Sequence, residues 1–348
     1  MYKKTQINGV KCFEADSGCY IDFSNKLCCH NVFIQTFNNL NHLYIFGDVV
    51  IVLDEVNRAF VLKNNSLIES SFDFRIGTLK FPFVGFYKRE QPRKYGVYDY
   101  SAQKILFETT DWIGRDIIGC NILAAHQGYI VCRIINCARP KWQVDLGNLG
   151  EFVNDLGEKF PYEVEKFIGV VGKSLLVLLK QKEILVFDVD SGIVTQRMKT
   201  IDCFLGETTI DAASPDILPF YITKYFVQIE RGVIYAFFID VLYVISREKQ
   251  SFRTNVIGLK SELEKHGIKP NQVSRNTFYF DDRIYFLEQE LGRFVILNVE
   301  SKTIEYVSEV IEINGEGVGF DKLKEIQATA DKVYVLDKTN TLHIFQKE

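Results

Sequence analysis

A seven-bladed β-propeller, all-β and built of four-stranded antiparallel blades, is the fold class that this 348-residue chain predicts. Three observations carry it. The first is an internal echo. Residues 335–345 repeat the pattern of residues 52–62: a strand closing on Val-Leu, a tip Asp-x-x-Asn (Asp54 to Asn57, Asp337 to Asn340), then a second alternating strand. The second is punctuation. Short Gly- or Asp-bearing turns precede apolar strands at Gly47-Asp48, Gln127-Gly128, Gly172-Lys173, Arg231-Gly232, Asp281-Asp282 and Asp331-Lys332. Gly and Asp supply the positive φ of tight hairpin turns. The third is composition: 28 Phe and 17 Tyr suit half-buried pleated surfaces. Almost no window shows a helical period.

The turns lie about 80, 45, 59, 50 and 50 residues apart, so the first gap hides one unit. Residues 83–87 and 94–100 supply it, which brings the count to seven. Each unit runs on past its second hairpin into a further turn and strand, most clearly at 187–194, 297–304 and 98–105. The last unit has three strands, and an N-terminal strand at about 5–13 is expected to complete it and close the ring. Cys19 to Phe23 is the competing segment. One short helix is expected where Ser261-Glu262-Leu263-Glu264 forms a capping box, with Gly267 as its stop and Pro270 beyond. Repeat folds grow as one body, so residues 1–348 read as a single domain.

Charge and composition exclude several classes. A net charge of −4 lacks the basic footprint of non-specific nucleic-acid binding. No run of 18 apolar residues occurs, and two N-terminal lysines precede no apolar stretch; a cytoplasmic chain is expected. The eight cysteines (Cys12, Cys19, Cys28, Cys29, Cys120, Cys132, Cys137, Cys203) are too irregular for a disulfide scaffold and read as reduced thiols, several of them apolar strand fillers. Zinc is excluded because no Cys-x-x-Cys pair accompanies Cys28-Cys29-His30. Gly315-Glu316-Gly317-Val318-Gly319 opens no helix and lacks dinucleotide-binding spacing. There is no Gly-x-Ser-x-Gly elbow and no His-Glu-x-x-His, and the five histidines are scattered. No catalytic residue, metal or cofactor is therefore assigned.

Candidate residues come from the loops. In a four-stranded blade, second-to-third turns and blade-to-blade connections share one face. The long connections, 147–163, 199–223, 258–276 and 309–322, make that face the working surface. On it the stretch from Lys88 to Lys94 places Arg89 and Arg93 at a hairpin tip, which reads either as a solvated turn shaped by Pro92 or as a place where an acidic surface or an anion docks. Trp112 and Arg115 follow in a connection; Trp and Arg are favoured interface anchors, and a Trp at this place equally suits a wedge between two blades. Arg139 and Lys141 are expected at the tip of the third unit, adding positive charge to the same face, with Trp142 packing on a strand behind them.

The turn from Asp188 to Gly192 and the segment Lys141-Trp142-Gln143-Val144-Asp145-Leu146-Gly147 resemble the blades of the quinoprotein-dehydrogenase-like propellers (the PQQ-like and WD40-like group). In that group an Asp-x-x-Thr-Gly-Lys-like turn and a following Trp dock one blade on the next. Here the turn occurs cleanly once, and only two Trp are present. The resemblance implies a degenerate bacterial member without the group's cofactor. The expected function is non-enzymatic protein binding by a chain that is monomeric when unbound. Its sharpest form is an immunity protein that occludes a toxin, for which the acidic balance would suit a basic, nuclease-like target. The alternative is an enzyme or small-ligand propeller using the central channel mouth, marked by convergent carboxylates, His or Arg with displaced pKa values. A scaffold for several partners is a third reading.

Overall fold

Alternating apolar strands joined by tight turns leave each hairpin with an unpaired edge, and the chain satisfies those edges sheet by sheet. The computed structural model describes residues 2–29, 32–36, 40–46, 49–54, 59–63, 66–69, 74–80, 82–114, 116–153, 156–180, 183–201, 217–219, 224–248, 251–313 and 322–347. Among them the strands form mainly four-stranded antiparallel sheets, most of them from strands consecutive in the chain, the propeller architecture expected. Each of the seven units read from the sequence is found, at 40–69, 75–109, 116–145, 164–201, 225–258, 273–307 and 323–347. A further four-stranded sheet stands at 10–36, uncounted in the sequence because its strands are only four or five residues long. Sheet 164–201 carries a fifth, parallel strand, Ile217–Pro219.

The chain divides into two compact units: residues 1–71 with 237–242 and 257–348, and residues 72–236 with 243–256. In the first unit the last sheet gains its outer strand from the N-terminus. Tyr2–Ile7 pairs antiparallel with Leu342–Lys347, from Tyr2 opposite Lys347 to Ile7 opposite Leu342. The strand lies earlier than the expected 5–13. Gly9, at φ +73°, turns the chain, and Val10–Glu14 begins the next sheet, to which Cys19–Asp22 also belongs. The last sheet packs Leu323, Ile326, Val335 and Phe345 against Leu287, Phe294 and Ile296, with Tyr2 set edge-on to Phe294.

The echoing tip is turn chemistry. Asp337 accepts from the Thr339 hydroxyl at 2.8 Å and the Thr341 amide at 2.9 Å, and its second oxygen meets His343 Nε2 at 2.8 Å. Asn340 takes the left-handed conformation at φ +64°. The matching tip at 55–58 lies outside the described residues. The short helix is Lys260–Lys265, with Gly267 at φ +67° ending it as expected. It starts before the expected capping box: Leu259 is the cap residue and makes no side-chain cap bond. Glu262 instead accepts from the Ile304 amide at 3.0 Å.

Among the described residues, three glutamines join neighbouring sheets. Gln289 donates to Leu323 O and accepts from Leu323 N, both at 2.9 Å. Gln327 accepts from Ala15 N at 2.9 Å and donates to Phe13 O at 3.3 Å. In the second unit Gln196 clasps Phe252 the same way, at 2.9 and 2.7 Å. A side-chain amide carries one donor group and one acceptor, so it pairs with a backbone amide that no strand reaches.

The expectation of reduced thiols fails for two residues. Cys19 and Cys29 face each other in register on adjacent strands and form a disulfide. Their partnership depends on strand register, which linear spacing does not disclose. Cys132 is buried, and burial pushes its thiol up to about 11, as befits an apolar filler. Cys203 lies outside the described residues. Among the described residues no helix is long and apolar enough to cross a membrane, and no cluster of three His, Cys, Asp or Glu is placed to hold a metal ion.

Candidate partner-binding site

All the candidate residues belong to the second unit. In sheet 75–109 the hairpin Phe83–Lys88 and Lys94–Asp99 presents the tip 89–93, as expected, with a cis peptide at Gln91-Pro92. The structure sorts its four cations. Lys88 pairs with Glu108 at 2.7 Å and Lys94 with Glu90 at 2.8 Å. Arg89 and Arg93 have no carboxylate partner among the described residues. Arg93 lies 5.8 Å from the centre of the Tyr87 ring, a cation–π distance.

Both arginines line a cleft of about 230 Å³ with Thr78, Tyr87, Tyr95 and Trp112. Trp112 reaches it because the connection after Lys104–Thr109 leaves from the same end of the sheet as the tip. Ile113 anchors that connection, buried among Val97, Ile117, Ile122 and Ile135. Gly114, at φ +91°, lies so close to the next sheet that a Cβ would fall 2.1 Å from Leu123 O. Asp111 extends toward the buried Arg133, whose Nη2 is 3.7 Å away and whose Nε donates to Ala138 O. The half-buried Trp112 then sits with its ring 5.5 Å from that of His126.

His126 opens a second, larger cleft of about 560 Å³. Leu146 and Tyr162 are buried in it, Tyr129, Pro161 and Val164 form its walls, and a Lys180–Glu163 pair at 2.6 Å stands on its rim. Beside it rises a two-stranded hairpin, Glu151–Val153 with Lys159–Pro161. Val153, Leu156 and Phe160 on this hairpin are 53%, 83% and 43% exposed. The sequence marked this loop only by its length. Tyr87, Tyr95 and His126 escaped because a ring's neighbours across a sheet are set by register.

Arg115 lies outside the described residues. Arg139 and Lys141 do not join this face. Sheet 116–145 begins with Asp116–Ile118, a three-residue strand that shifts the unit's frame by one. The turn 135–139 therefore joins the third and fourth strands, next to Cys120, whose carbonyl accepts from Ile135 N at 2.9 Å. That is the end opposite the tip 127–128. Arg139 is exposed there, and Lys141 pairs with Asp190 at 2.5 Å.

Trp142 packs, as expected. Its Nε1 donates to Val189 O at 2.9 Å, and its ring stacks on Phe187 with centroids 6.0 Å apart and planes 10° apart. It covers Gly192, where a Cβ would fall 2.7 Å from the indole. Asp188 holds that turn by accepting from Ser191 N and Oγ, both at 2.8 Å, and these bonds lower its pKa. At this one place a Trp of one sheet docks on the Asp-x-x-Ser-Gly turn of the next, as in the group the chain resembles.

The alternative reading asks for convergent carboxylates. In the first unit Glu14, half-buried, is pushed up to about 7 by burial and then by Glu325 and Asp16. Cys12 beside it is raised by burial to about 11 and stays a thiol at neutral pH. A carboxyl with a raised folded-state pKa is neutral at low pH in both states and must ionise at a cost in the native state. Stability is therefore lost as pH rises from the ordinary carboxylate range to about 7. Glu14→Gln is expected to stabilise by about 1 kcal/mol at pH 8, after allowance for solvent screening, and by nothing at pH 4. Melting curves at the two pH values check it; an equal shift at both would remove the carboxyl as the cause.

No protein-family model and no curated protein matches the chain. Among solved structures it is similar to the computationally designed Ika8 protein, with a TM-score of 0.56, 9% identity, and 97% of this chain and 96% of that one covered. It is similar to Sqt1 of Saccharomyces cerevisiae at a TM-score of 0.56 and 10% identity, covering 100% and 98%. BamB from Moraxella catarrhalis aligns at 0.47 and 11%, over 88% and 96%. At such identities the likeness to Ika8 and Sqt1 speaks for the fold alone, and that fold is a β-propeller.

Proposed function

We propose that this chain is a non-enzymatic protein-binding propeller. Its working surface is the end of sheets 75–109 and 116–145 that carries the tip 89–93, the connection 110–114 and the neighbouring apolar hairpin. One observation carries the reading. The structure neutralises the lysines of the basic tip and leaves its two arginines facing a cleft beside a half-buried Trp. Trp and Arg dominate interface energetics when they sit together at the centre of a desolvated patch. Exposed Val153, Leu156 and Phe160 nearby add the apolar area that an interface core needs.

Affinity capture with the whole chain tests this. Wild type should retain a protein that Trp112→Ala retains at least tenfold less well. Equal retention by both, or no protein retained by either, would refute the reading. In its finer form the chain is a cytoplasmic immunity protein. The captured partner would then arrest growth when expressed alone, and co-expression of this chain would relieve the arrest. Growth unaffected by the partner would end that form while leaving protein binding intact.

A further inference from the structure

The basic cleft and the apolar cleft adjoin. Trp112 lines the first, His126 lines the second, and their rings are 5.5 Å apart. The two hollows thus lie on either side of one ring pair on neighbouring sheets of the second unit, and read together as a trough their chemistry changes from one end to the other. At one end exposed Arg89 and Arg93 lie among Tyr87 and Tyr95. At the other, Tyr129, Leu146, Pro161 and Val164 form the walls and floor, and the cations and anions of the rim are already paired as Lys180–Glu163.

We infer that the trough is a binding site for an extended peptide segment in which an acidic residue is followed or preceded, a few positions away, by a large apolar one. The inference rests on the protein-binding reading and names the ligand of that surface. The acidic side chain meets the two arginines, whose planar forks suit a carboxylate. Trp112 and His126 lie under the intervening backbone, and the apolar side chain fills the larger hollow. At about 3.3 Å per extended residue, crossing the ring pair separates the two anchors by roughly two to four positions. A nucleic-acid strand fits less well. The chain's net charge of −4 opposes a polyanion, and the larger hollow offers a phosphate no free cation among its lining residues.

The test is an array of 12-residue peptides of random sequence probed with the whole chain. Trp emission serves as the solution readout. Of the two Trp, Trp142 is 8% exposed and stacked, so a change in emission on binding reports Trp112, and Trp112→Phe should abolish it. Retained peptides are expected to carry Asp or Glu two to four positions from Leu, Ile or Phe. Arg89→Gln with Arg93→Gln should weaken a retained peptide about tenfold and flatten its salt dependence. Tyr129→Ala should keep the acidic preference and loosen the apolar one. Circular dichroism confirms that each variant is folded. Enrichment of basic or of uniformly neutral peptides would overturn the inference, as would undiminished binding by the arginine double variant. Retention of no peptide would also overturn it. Capture of a folded partner that still depends on Trp112 would then keep the protein-binding reading and discard only the linear ligand.

Discussion

Replacing Trp142 with alanine should destabilise the protein by about 3–5 kcal/mol, the range for deleting a large buried aromatic. Three losses combine. The ring is 8% exposed and covers Phe187, whose side chain belongs to a core with Leu175, Val177, Leu179 and Leu185. Its Nε1 bond to Val189 O disappears, leaving a carbonyl to find another donor. Gly192, at φ +74°, brings backbone against the indole and has no side chain of its own to fill the hole. Trp142→Phe keeps most of the apolar contact and should cost about 1–2 kcal/mol, chiefly the hydrogen bond. Chemical denaturation monitored by circular dichroism measures both. If alanine shifts the midpoint no more than phenylalanine does, the docking of this Trp on the Asp188 turn contributes little to holding the two sheets together.

Gly114→Ala should be the second severe change, at about 3–4 kcal/mol. At φ +91° any L-residue is strained, and the added methyl would overlap Leu123 O at 2.1 Å and Ala124 at 2.8 Å, which are backbone atoms of a paired strand. The connection has to move off the sheet. Ile113 then leaves its pocket and Trp112 swings with it, so peptide binding should be lost even in folded molecules. Gly119→Ala is the control: its φ is also positive, +57°, but nothing lies within 4 Å of the new Cβ. It should cost only about 1 kcal/mol and leave Trp112 emission unchanged. Equal costs at the two glycines would show that conformation, and not close approach, limits position 114.

The repeat was legible because its grammar is local. A turn residue that must adopt positive φ, followed by four or five apolar positions, is written in contiguous sequence, and the seven units so marked are all present. Trp142 and the Asp337 tip were legible for the same reason. Errors occurred where the signal was short or depended on register. Asp116–Ile118 is too brief to show alternation, and missing it sent Arg139 and Lys141 to the wrong end of their sheet. Running a strand through Gly9 displaced the closing strand by a few residues. Cys19 and Cys29 become partners only once two strands are aligned. Within the candidate site, the sequence shows a basic tip. That Lys88 is paired depends on Glu108, a residue of the adjoining strand, whereas the partner of Lys94, Glu90, lies within the tip itself.

The pairing of Tyr2–Ile7 with Leu342–Lys347 also sets a timetable. The two strands are separated by most of the chain, so at about 5–20 residues per second the ribosome makes the first some twenty seconds to a minute before the second. Through that interval Tyr2–Ile7 has no ladder to join, and its backbone amides and carbonyls are held by water or by chaperones. Completing this sheet is thus a late, long-range closure, with the slow kinetics such contacts impose. A ribosome stalled before Leu342 releases a chain whose Lys332–Asp337 strand has an open edge, a ready template for pairing between molecules.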